Sequence, residues 1–431
     1  MTGTGPRAQM SQSQVTAGGG SGEPAAPRVL LLVPARTYRA ADFLTAAGRL
    51  GLDLVVGSDG ALPLGGRPVL PVSPANVEGS AGRILAGCGP VDAVVAADTP
   101  MLALAAAVAA RLGLAHNPVD AVIAATDKAL QRRYWAAAHV AQPTFRIVPA
   151  SEPEDALRQA AAETGFPCVI KAVSLSASQG VLRADDPAAV LAAARRIRQI
   201  LAAAGHPASE PLLVEEYVPG PELSIDGLLT AGELTVTAVF DKPATPEGPT
   251  FEETLLITPS RLPGPVLASA IDTAGRAARA LRLTHGPIHA ELRIDERGGQ
   301  PGPVMLELAA RSIGGLCSRA LRFGHGISLE ELVLANALGR PVPSPRAARP
   351  SGVLMLPVPG PGVLRAVDGR AEAAAVPGIT GLTITIPVGQ RVQPLPDGDR
   401  YLGFIFAESD TREQVQNALG AARNQLRVII R

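Results

Sequence analysis

Residues 289–311 read His289-Ala-Glu291-Leu-Arg-Ile-Asp295-Glu-Arg-Gly-Gly-Gln-Pro-Gly-Pro-Val-Met-Leu-Glu307-Leu-Ala-Ala-Arg311. Two apolar runs flank a turn rich in Gly and Pro, so the stretch is an antiparallel hairpin. The strand period of two puts His289, Glu291, Arg293 and Asp295 on one face of the first arm. On the second arm the same period groups Glu307 with Met305 and Ala309. A carboxylate between apolar neighbours is a poor solvated edge, since burying an unpaired charge is very costly. A turn centred on residue 299 sets Glu291 opposite Glu307. Facing carboxylates repel unless a cation lies between them. With oxygen ligands alone, that cation is Mg²⁺ or Mn²⁺, and magnesium held by few carboxylates commonly bridges substrate phosphates. The competing reading is two unrelated surface glutamates.

Two upstream segments fit the same chemistry. Cys168-Val-Ile-Lys171-Ala is an apolar strand with a lysine near its end, and Ser174-Leu-Ser-Ala-Ser178-Gln179-Gly180 follows it. Small hydroxyl residues and glycine let backbone N–H groups approach an anion. A strand lysine beside such a loop suits phosphate neutralisation, although a plain Ser/Gly turn is equally compatible. Further on, Leu212-Leu-Val-Glu215-Glu216-Tyr217-Val218-Pro-Gly-Pro-Glu222 is a strand running into a Pro-Gly hinge. Free backbone groups there suit a flat heterocycle such as adenine, and Glu222 could accept hydrogen bonds from ribose hydroxyls.

Composition narrows the partners. At 431 residues, several domains are expected. The formal net charge is zero and no basic stripe is present, which argues against nucleic acid. Cys88, Cys168 and Cys317 are odd in number and widely spaced, fitting neither a disulfide framework nor a zinc site. Met101 to Ala110 is about half a membrane span and reads as a buried helix. A cytoplasmic location is therefore expected. Only Lys128, Lys171 and Lys242 are lysines, leaving 36 of 39 basic residues as arginine. A lysine that persists in such a chain marks a site needing a compact point charge.

The order of signals gives the architecture. Val29–Val33, a helix ending near Gly51, Asp53–Val56, Asp92–Ala97 and a helix Met101–Leu112 alternate as in a parallel sheet with crossover helices. Capping-box patterns occur at Ser151/Glu154, Ser328/Glu331 and Asp410/Glu413. Asp186-Pro187 opens another helix that Gly205 closes. Short β-rich runs cover 168–172, 212–217, 223–230, 234–240, 287–294 and 304–309. Residues 1–27 read as a disordered tail and 341–350 as a Pro-rich linker. A closing helix is expected from Thr411 to Arg427.

Together these residues resemble the ATP-grasp superfamily. The features are Lys128 in Thr-Asp-Lys, the Lys171 strand with its loop, the Glu-Glu-Tyr-Val hinge, and Glu291 with Glu307-x-x-x-Arg311. The ending Glu-Leu-Ala-Ala-Arg-Ser-Ile-Gly-Gly, with Gly403-Phe-Ile-Phe-Ala, is similar to the L-amino-acid ligase branch, the dipeptide synthetases. The resemblance implies an α/β and α+β multidomain protein. A parallel α/β domain at 28–117 would precede an ATP-grasp domain at 118–340, whose lid covers about 145–214, and a small α+β domain at 351–431. It implies that Lys128 and Lys171 hold phosphates, and that Ser174, Ser178, Gln179 and Gly180 belong to the lid. Glu215, Glu216, Tyr217, Val218 and Glu222 would line the ATP site. Glu291 and Glu307 would bind Mg²⁺ (or Mn²⁺). Arg311 would stabilise the acyl-phosphate, with Lys242 aligning anions and His289, Ser312, Gly314 and Gly315 near the substrate. Ala309 stands where many relatives have Asn.

The implied reaction is carboxylate activation by ATP, then attack by an amine. Expected partners are those two small molecules and at most a second copy of the chain, forming a homodimer. Rival readings are another ATP-grasp chemistry, such as a carboxylase or purine-pathway ligase, and a silent nucleotide-binding scaffold.

Overall fold

The computed structural model describes residues 1–3, 26–62, 66–243, 247–341 and 349–431. Most of the expected tail and linker therefore lie outside the described residues, as does part of the 243–250 loop.

The chain opens with a four-stranded parallel sheet of β1 (Arg28–Val33), β2 (Asp53–Ser58), β3 (Val69–Pro71) and β4 (Ala93–Ala96), ordered β3-β2-β1-β4. Helices α1 (Ala40–Arg49), α2 (Val77–Gly87) and α3 (Leu102–Leu112) connect and follow these strands. Leu30 and Leu32 of β1 pack toward α2 and α3, while Leu31 and Val33 face α1. A strand apolar on both faces is what a sheet covered on both sides requires. Helices α4 (Val119–Thr126) and α5 (Lys128–Ala137) lead into the next unit, and Asp127 caps α5 by accepting from the Leu130 N–H.

The segment expected to form the lid is a four-stranded antiparallel sheet. It comprises β5 (Phe145–Val148), β6 (Cys168–Ala172), β7 (Val181–Ala184) and β8 (Leu212–Glu216). Helices α6 (Glu154–Thr164) and α7 (Pro187–Ala203) pack on one face of it and share its core. Asp186 caps α7 as expected. The box at Ser151 does not form: Pro153 holds the cap position of α6, which leaves Ser151 outside the helix.

The central element is an eight-stranded sheet. Its first five strands are β9 (Glu222–Thr230), β10 (Glu233–Lys242), β11 (Leu255–Thr258), β12 (Gly286–Asp295) and β13 (Gly302–Ala309), with α8 (Gly264–Ala280) after β11 and α9 (Leu329–Ala337) after β13. The Ser328/Glu331 capping box of α9 is present. Beyond it come β14 (Ser351–Leu356), β15 (Gly362–Asp368), α10 (Arg370–Ala374), β16 (Ile379–Ile384), β17 (Arg391–Val392), β18 (Gly403–Glu408), α11 (Arg412–Gln425) and β19 (Arg427–Ile430). The order β13-β12-β9-β10-β11-β14-β18-β16 shows that the C-terminal segment extends the same sheet. Strands β17, β15 and β19 form a separate small sheet. The last helix is capped by Thr411 with Gln414, one residue after the expected Asp410/Glu413 pair.

The hairpin β12–β13 pairs Glu291 with Glu307 and His289 with Ala309, and then slips so that Leu292 faces Met305. The slip is a β-bulge, which inserts one residue and flips the alternation beyond it. Met305 consequently lies in the core beneath α8, not on the face of Glu307. The extra residue lies on β13, so the alternation of β12 is unbroken, and Asp295 pairs with Arg297 in the turn, at 2.7 Å.

Strand β13 is a sheet edge, and α5 covers it. Gln131 Nε2 donates to the Leu308 carbonyl at 2.9 Å, while its Oε1 accepts from the Leu308 N–H at 3.1 Å. Arg132 Nη2 donates to the Leu306 carbonyl at 2.7 Å. Such cover satisfies backbone groups that an open edge would expose. Gln131→Leu leaves both Leu308 groups buried and unpaired, and should cost about 1–3 kcal/mol per group. Urea unfolding of the variant against the parent checks this.

Candidate active site

A cavity of about 320 Å³ opens where the lid, the central sheet, the N-terminal sheet and the C-terminal segment meet. Of the sequence-derived residues, Lys128, Lys171, Ser178, Glu215, Glu216, Tyr217, Val218 and Glu222 line it. So do His289, Glu291, Glu307, Arg311, Gly314 and Gly315. Ser174, Gln179, Gly180, Lys242 and Ser312 do not.

The reasons differ. Ser174 is turned away: its hydroxyl donates to Glu210 Oε2 at 2.7 Å, and Glu210 Oε1 also accepts from the N–H groups of Val173 and Ser174. Glu210, unnoticed in the sequence, thus pins the start of the lid loop. Gln179 lines a neighbouring cleft. Gly180 has φ +66° and sits against Ala172 and Leu175, where a side chain would crowd. Ser312 is buried, its hydroxyl held by Arg39, whose other nitrogen donates to the Ala97 carbonyl at 2.8 Å. The loop itself bends through Ala177 and Ser178 at φ 56° and 58°. Left-handed backbone is costly for residues other than glycine, and such strain clusters at ligand clamps.

The phosphate side is built on Glu215, which is 1% exposed. Arg132 Nε lies 2.5 Å from one carboxylate oxygen and Lys171 Nζ 2.6 Å from the other. Burial alone would raise this carboxyl, but the two cations outweigh burial and hold it at about 2. One carboxylate between two cations leaves a net positive charge at the cavity wall. Glu215 is therefore committed to positioning Lys171. Lys128 Nζ donates to the Leu175 carbonyl at 2.6 Å and sits 3.2 Å from Glu307, so it ties lid to sheet.

The hinge side is aromatic. Tyr217 and Phe251 stack with ring centroids 6.4 Å apart, and Arg293 lies over both. Arg293 also donates to Glu222 at 2.9 Å and to the Val218 carbonyl at 2.8 Å.

On the opposite wall stands a cluster of carboxylates. Oxygens of Glu222, Glu253 and Glu291 lie within 4.8 Å of one another. Lys242 is 4% exposed and occupies the space behind them, 2.7 Å from Glu222, 3.7 Å from Glu291 and in contact with Glu253. It is no surface lysine. Burial opposes its charge, but the three carboxylates overcome this and hold it firmly as an ammonium. Its side chain borders a smaller cavity behind the hinge. Burial also lifts Glu253, which settles at about 7.

His289 bridges Asp226 and Glu291, each 3.2 Å away. Burial would lower it, yet the two carboxylates raise it to about 9, so it is an imidazolium. Asp226 in turn accepts from the Ile313 N–H at 2.9 Å. Arg311 is aimed by the turn after β4: its Nε donates to Thr99 at 3.0 Å, with Asp98 at 3.7 Å. Burial pushes the Cys168 thiol up to about 11 and Cys317 well above its usual range, so neither is a ready nucleophile.

Glu291 and Glu307 keep part of their side chains open to the cavity, at 25% and 31%. An all-oxygen pair, partly open and flanked by cations, fits a hard divalent ion shared with phosphates. The lysines, the strained lid loop and the aromatic hinge likewise fit a nucleoside triphosphate.

Residues 164–320 of the chain match the ATP-grasp domain. More narrowly, residues 354–431 match the L-amino acid ligase C-terminal domain 2. The chain resembles alanine–anticapsin ligase of Bacillus subtilis, 27% identical over 266 residues, covering 58% of this chain and 54% of that protein. It also resembles carnosine synthase 1 of Gallus gallus, 32% identical over 207 residues, covering 46% and 22%. The chain thus spans about half or less of these two relatives' lengths. The crystal structure of an L-amino acid ligase from Bacillus licheniformis has the same fold, with a TM-score of 0.78 and 24% identity over 94% of this chain and 99% of that one. Among the described residues, no helix is long and apolar enough to cross a membrane.

Two outcomes follow from the buried charges. Glu215 is depressed below its unfolded value of 4.5, so its contribution is full above that pH and disappears as pH falls toward 2. Glu215→Gln should be destabilised at pH 7, by about 3–5 kcal/mol, since two cations lose their partner. The gap to the parent in thermal unfolding should narrow between pH 4.5 and pH 2. A constant gap would refute the pairing. For Lys242→Met, three carboxylates lose their cation, and urea unfolding should show a loss of similar size, about 3–5 kcal/mol.

Proposed function

We propose that this protein is an ATP-dependent carbon–nitrogen ligase. It would activate a carboxylate, in our reading that of an amino acid, as an acyl-phosphate and condense it with an amine, releasing ADP and phosphate. The observation that carries this reading is the facing pair Glu291 and Glu307 in one cavity with Lys128, Lys171 and Arg311.

Each residue has a task that follows from its surroundings. Lys171, braced by Glu215, and Lys128 neutralise phosphate oxygens. Tyr217, Phe251 and the hinge backbone at Glu216 and Val218 flank the base, and Glu222 faces the ribose. Glu291 and Glu307 would hold magnesium, which would supply neutralisation of the charge on the transferred phosphoryl group. Arg311, steered by Thr99 and Asp98, binds the acyl oxygens in the acyl-phosphate and in the tetrahedral adduct. Lys242 balances the carboxylate wall and keeps Glu291 oriented. Phosphoryl transfer demands positioning and charge neutralisation more than covalent help, so no side-chain nucleophile is required. Closure of the 174–180 loop would exclude water that could hydrolyse the acyl-phosphate.

The test is phosphate release from ATP with panels of carboxylate and amine pairs, with the condensed product identified by mass. Glu307→Gln should lower turnover by at least about a hundredfold, equivalent to about 2.7 kcal/mol of transition-state stabilisation. Excess chelator should abolish turnover in the parent. Undiminished product formation in chelator would remove the metal assignment.

A further inference from the structure

Strand β6 pairs with β8 as far as Ala172, and beyond it the backbone N–H groups of Val173 and Ser174 have left the sheet. Val173 is buried, so its N–H must find an acceptor. Glu210, two residues before β8, supplies one. One carboxylate oxygen accepts from the N–H groups of Val173 at 3.1 Å and Ser174 at 3.2 Å, and the other accepts from the Ser174 hydroxyl at 2.7 Å. Glu210 is itself fixed in the link from α7 to β8. Its N–H donates to the Pro207 carbonyl at 3.1 Å, Arg198 of α7 donates to its carbonyl, and His206 Nδ1 stands 3.3 Å from its carboxylate.

The opposite side of the same short segment is held by Lys128. Its backbone N–H donates to the Val173 carbonyl at 3.0 Å, and its ammonium to the Leu175 carbonyl at 2.6 Å. Residues 173–175 are therefore gripped twice, at their N–H groups by Glu210 and at their carbonyls by Lys128. The Lys128 ammonium goes on to Glu307 at 3.2 Å. A lysine stem is flexible, and its ammonium rests where acceptors hold it. For Lys128 the Leu175 carbonyl is such an acceptor, and the position of that carbonyl follows from those of Val173 and Ser174. Lys171 lies on β6 two residues upstream of Val173, so the same clamp sets the spacing of the two lysines.

We infer that Glu210 is a positioning residue for the bound nucleotide: acting through residues 173–175, it fixes the Lys128 ammonium between Leu175 and Glu307. This rests on the reading above of Lys128 and Lys171 as phosphate-binding cations. Glu210 does not line the cavity, so its effect on a nucleotide passes through the segment it grips. Reach matters more than charge here, because the three donors need both oxygens at the length of a glutamate side chain. Glutamine keeps that length and an oxygen for the two N–H groups. Aspartate keeps the charge but is one carbon shorter.

The test is the affinity of a non-hydrolysable ATP analogue with Mg²⁺, measured by isothermal titration calorimetry on the full chain. Glu210→Asp should weaken binding at least about tenfold, while Glu210→Gln stays within about threefold of the parent. A larger loss in Glu210→Gln than in Glu210→Asp is the order that a long-range charge effect gives, and it would overturn the inference. A double-mutant cycle supplies the second arm. On a Lys128→Met background, Glu210→Asp should change affinity by less than about twofold, because the ammonium it positions has gone. The full loss on that background would make Glu210 a general support of the fold and remove the inference. Ser174→Ala, which deletes one donor to Glu210, carries the same cycle with a smaller loss if Glu210→Asp does not fold. Unchanged affinity in Glu210→Asp would also overturn the positioning role, with the ligase reading intact. A parent that binds no analogue would remove the ligase reading, and the positioning role with it.

Discussion

Carboxylates set into the wall of a β-sheet are tolerable only if each meets a cation, and the rest of this site follows from that constraint. Glu215 is closed in by Arg132 and Lys171, Glu222 by Lys242 and Arg293, and Asp226 by His289. Removing any one partner would leave a charge in a medium that solvates it poorly. The pairing also divides the acids by role. Those shut away behind the surface fix the positions of lysine and arginine side chains. Glu291 and Glu307 keep a quarter to a third of their side chains open and so retain coordination capacity. A site preorganised in this way holds its cations in place before any anion arrives.

Much of this was legible in the sequence, because the decisive features are local. The Glu291–Glu307 facing pair depends only on a strand period and a turn position. The lysines stood out because arginine has replaced lysine almost everywhere else, and all three proved to be largely buried. What was not legible is equally specific. The bulge after Glu291 moved Met305 to the other face, and nothing in an alternating run of apolar residues announces where a register slips. Glu253, Asp98 and Tyr401 line the same cavity from segments too far in sequence from Glu291 and Glu307 for any periodicity to link them. Helix α8 went unread because its buried face is made mainly of alanine, and β11 because four residues carry too little periodicity to register. The capping errors at Ser151 and Asp410 have different causes: Pro153 holds the cap position of α6 with no side-chain cap, whereas Ser409, Asp410 and Thr411 all precede α11 and the backbone path selects Thr411.

The C-terminal segment has a place that no linear reading gives. Its strands β14, β18 and β16 complete the central sheet, and Val353, Met355, Phe404 and Phe406 share one core with Val33 and Phe43 of the N-terminal unit. Gly315 shows how close that packing is, since a side chain there would run into the Phe404 ring at 2.8 Å. The N-terminal sheet, the central sheet and the closing segment are thus mutually dependent around the cavity.

That dependence explains how a residue at the tip of β13 can be aimed by a turn two hundred residues earlier. Arg311 takes its direction from Thr99, while Arg39 grips both the Ala97 carbonyl next to that turn and the Ser312 hydroxyl next to Arg311. The two arginines form parallel ties between the same pair of segments, so neither segment can shift without moving the other. Arg39 is buried, and it controls the separation between the Arg311 guanidinium and the sheet that carries Glu291 and Glu307. Misplacement by a single ångström is expensive in a reaction governed by alignment. The position of Arg311 relative to Glu291 and Glu307 is therefore set by the joint between units as much as by the strands that bear them.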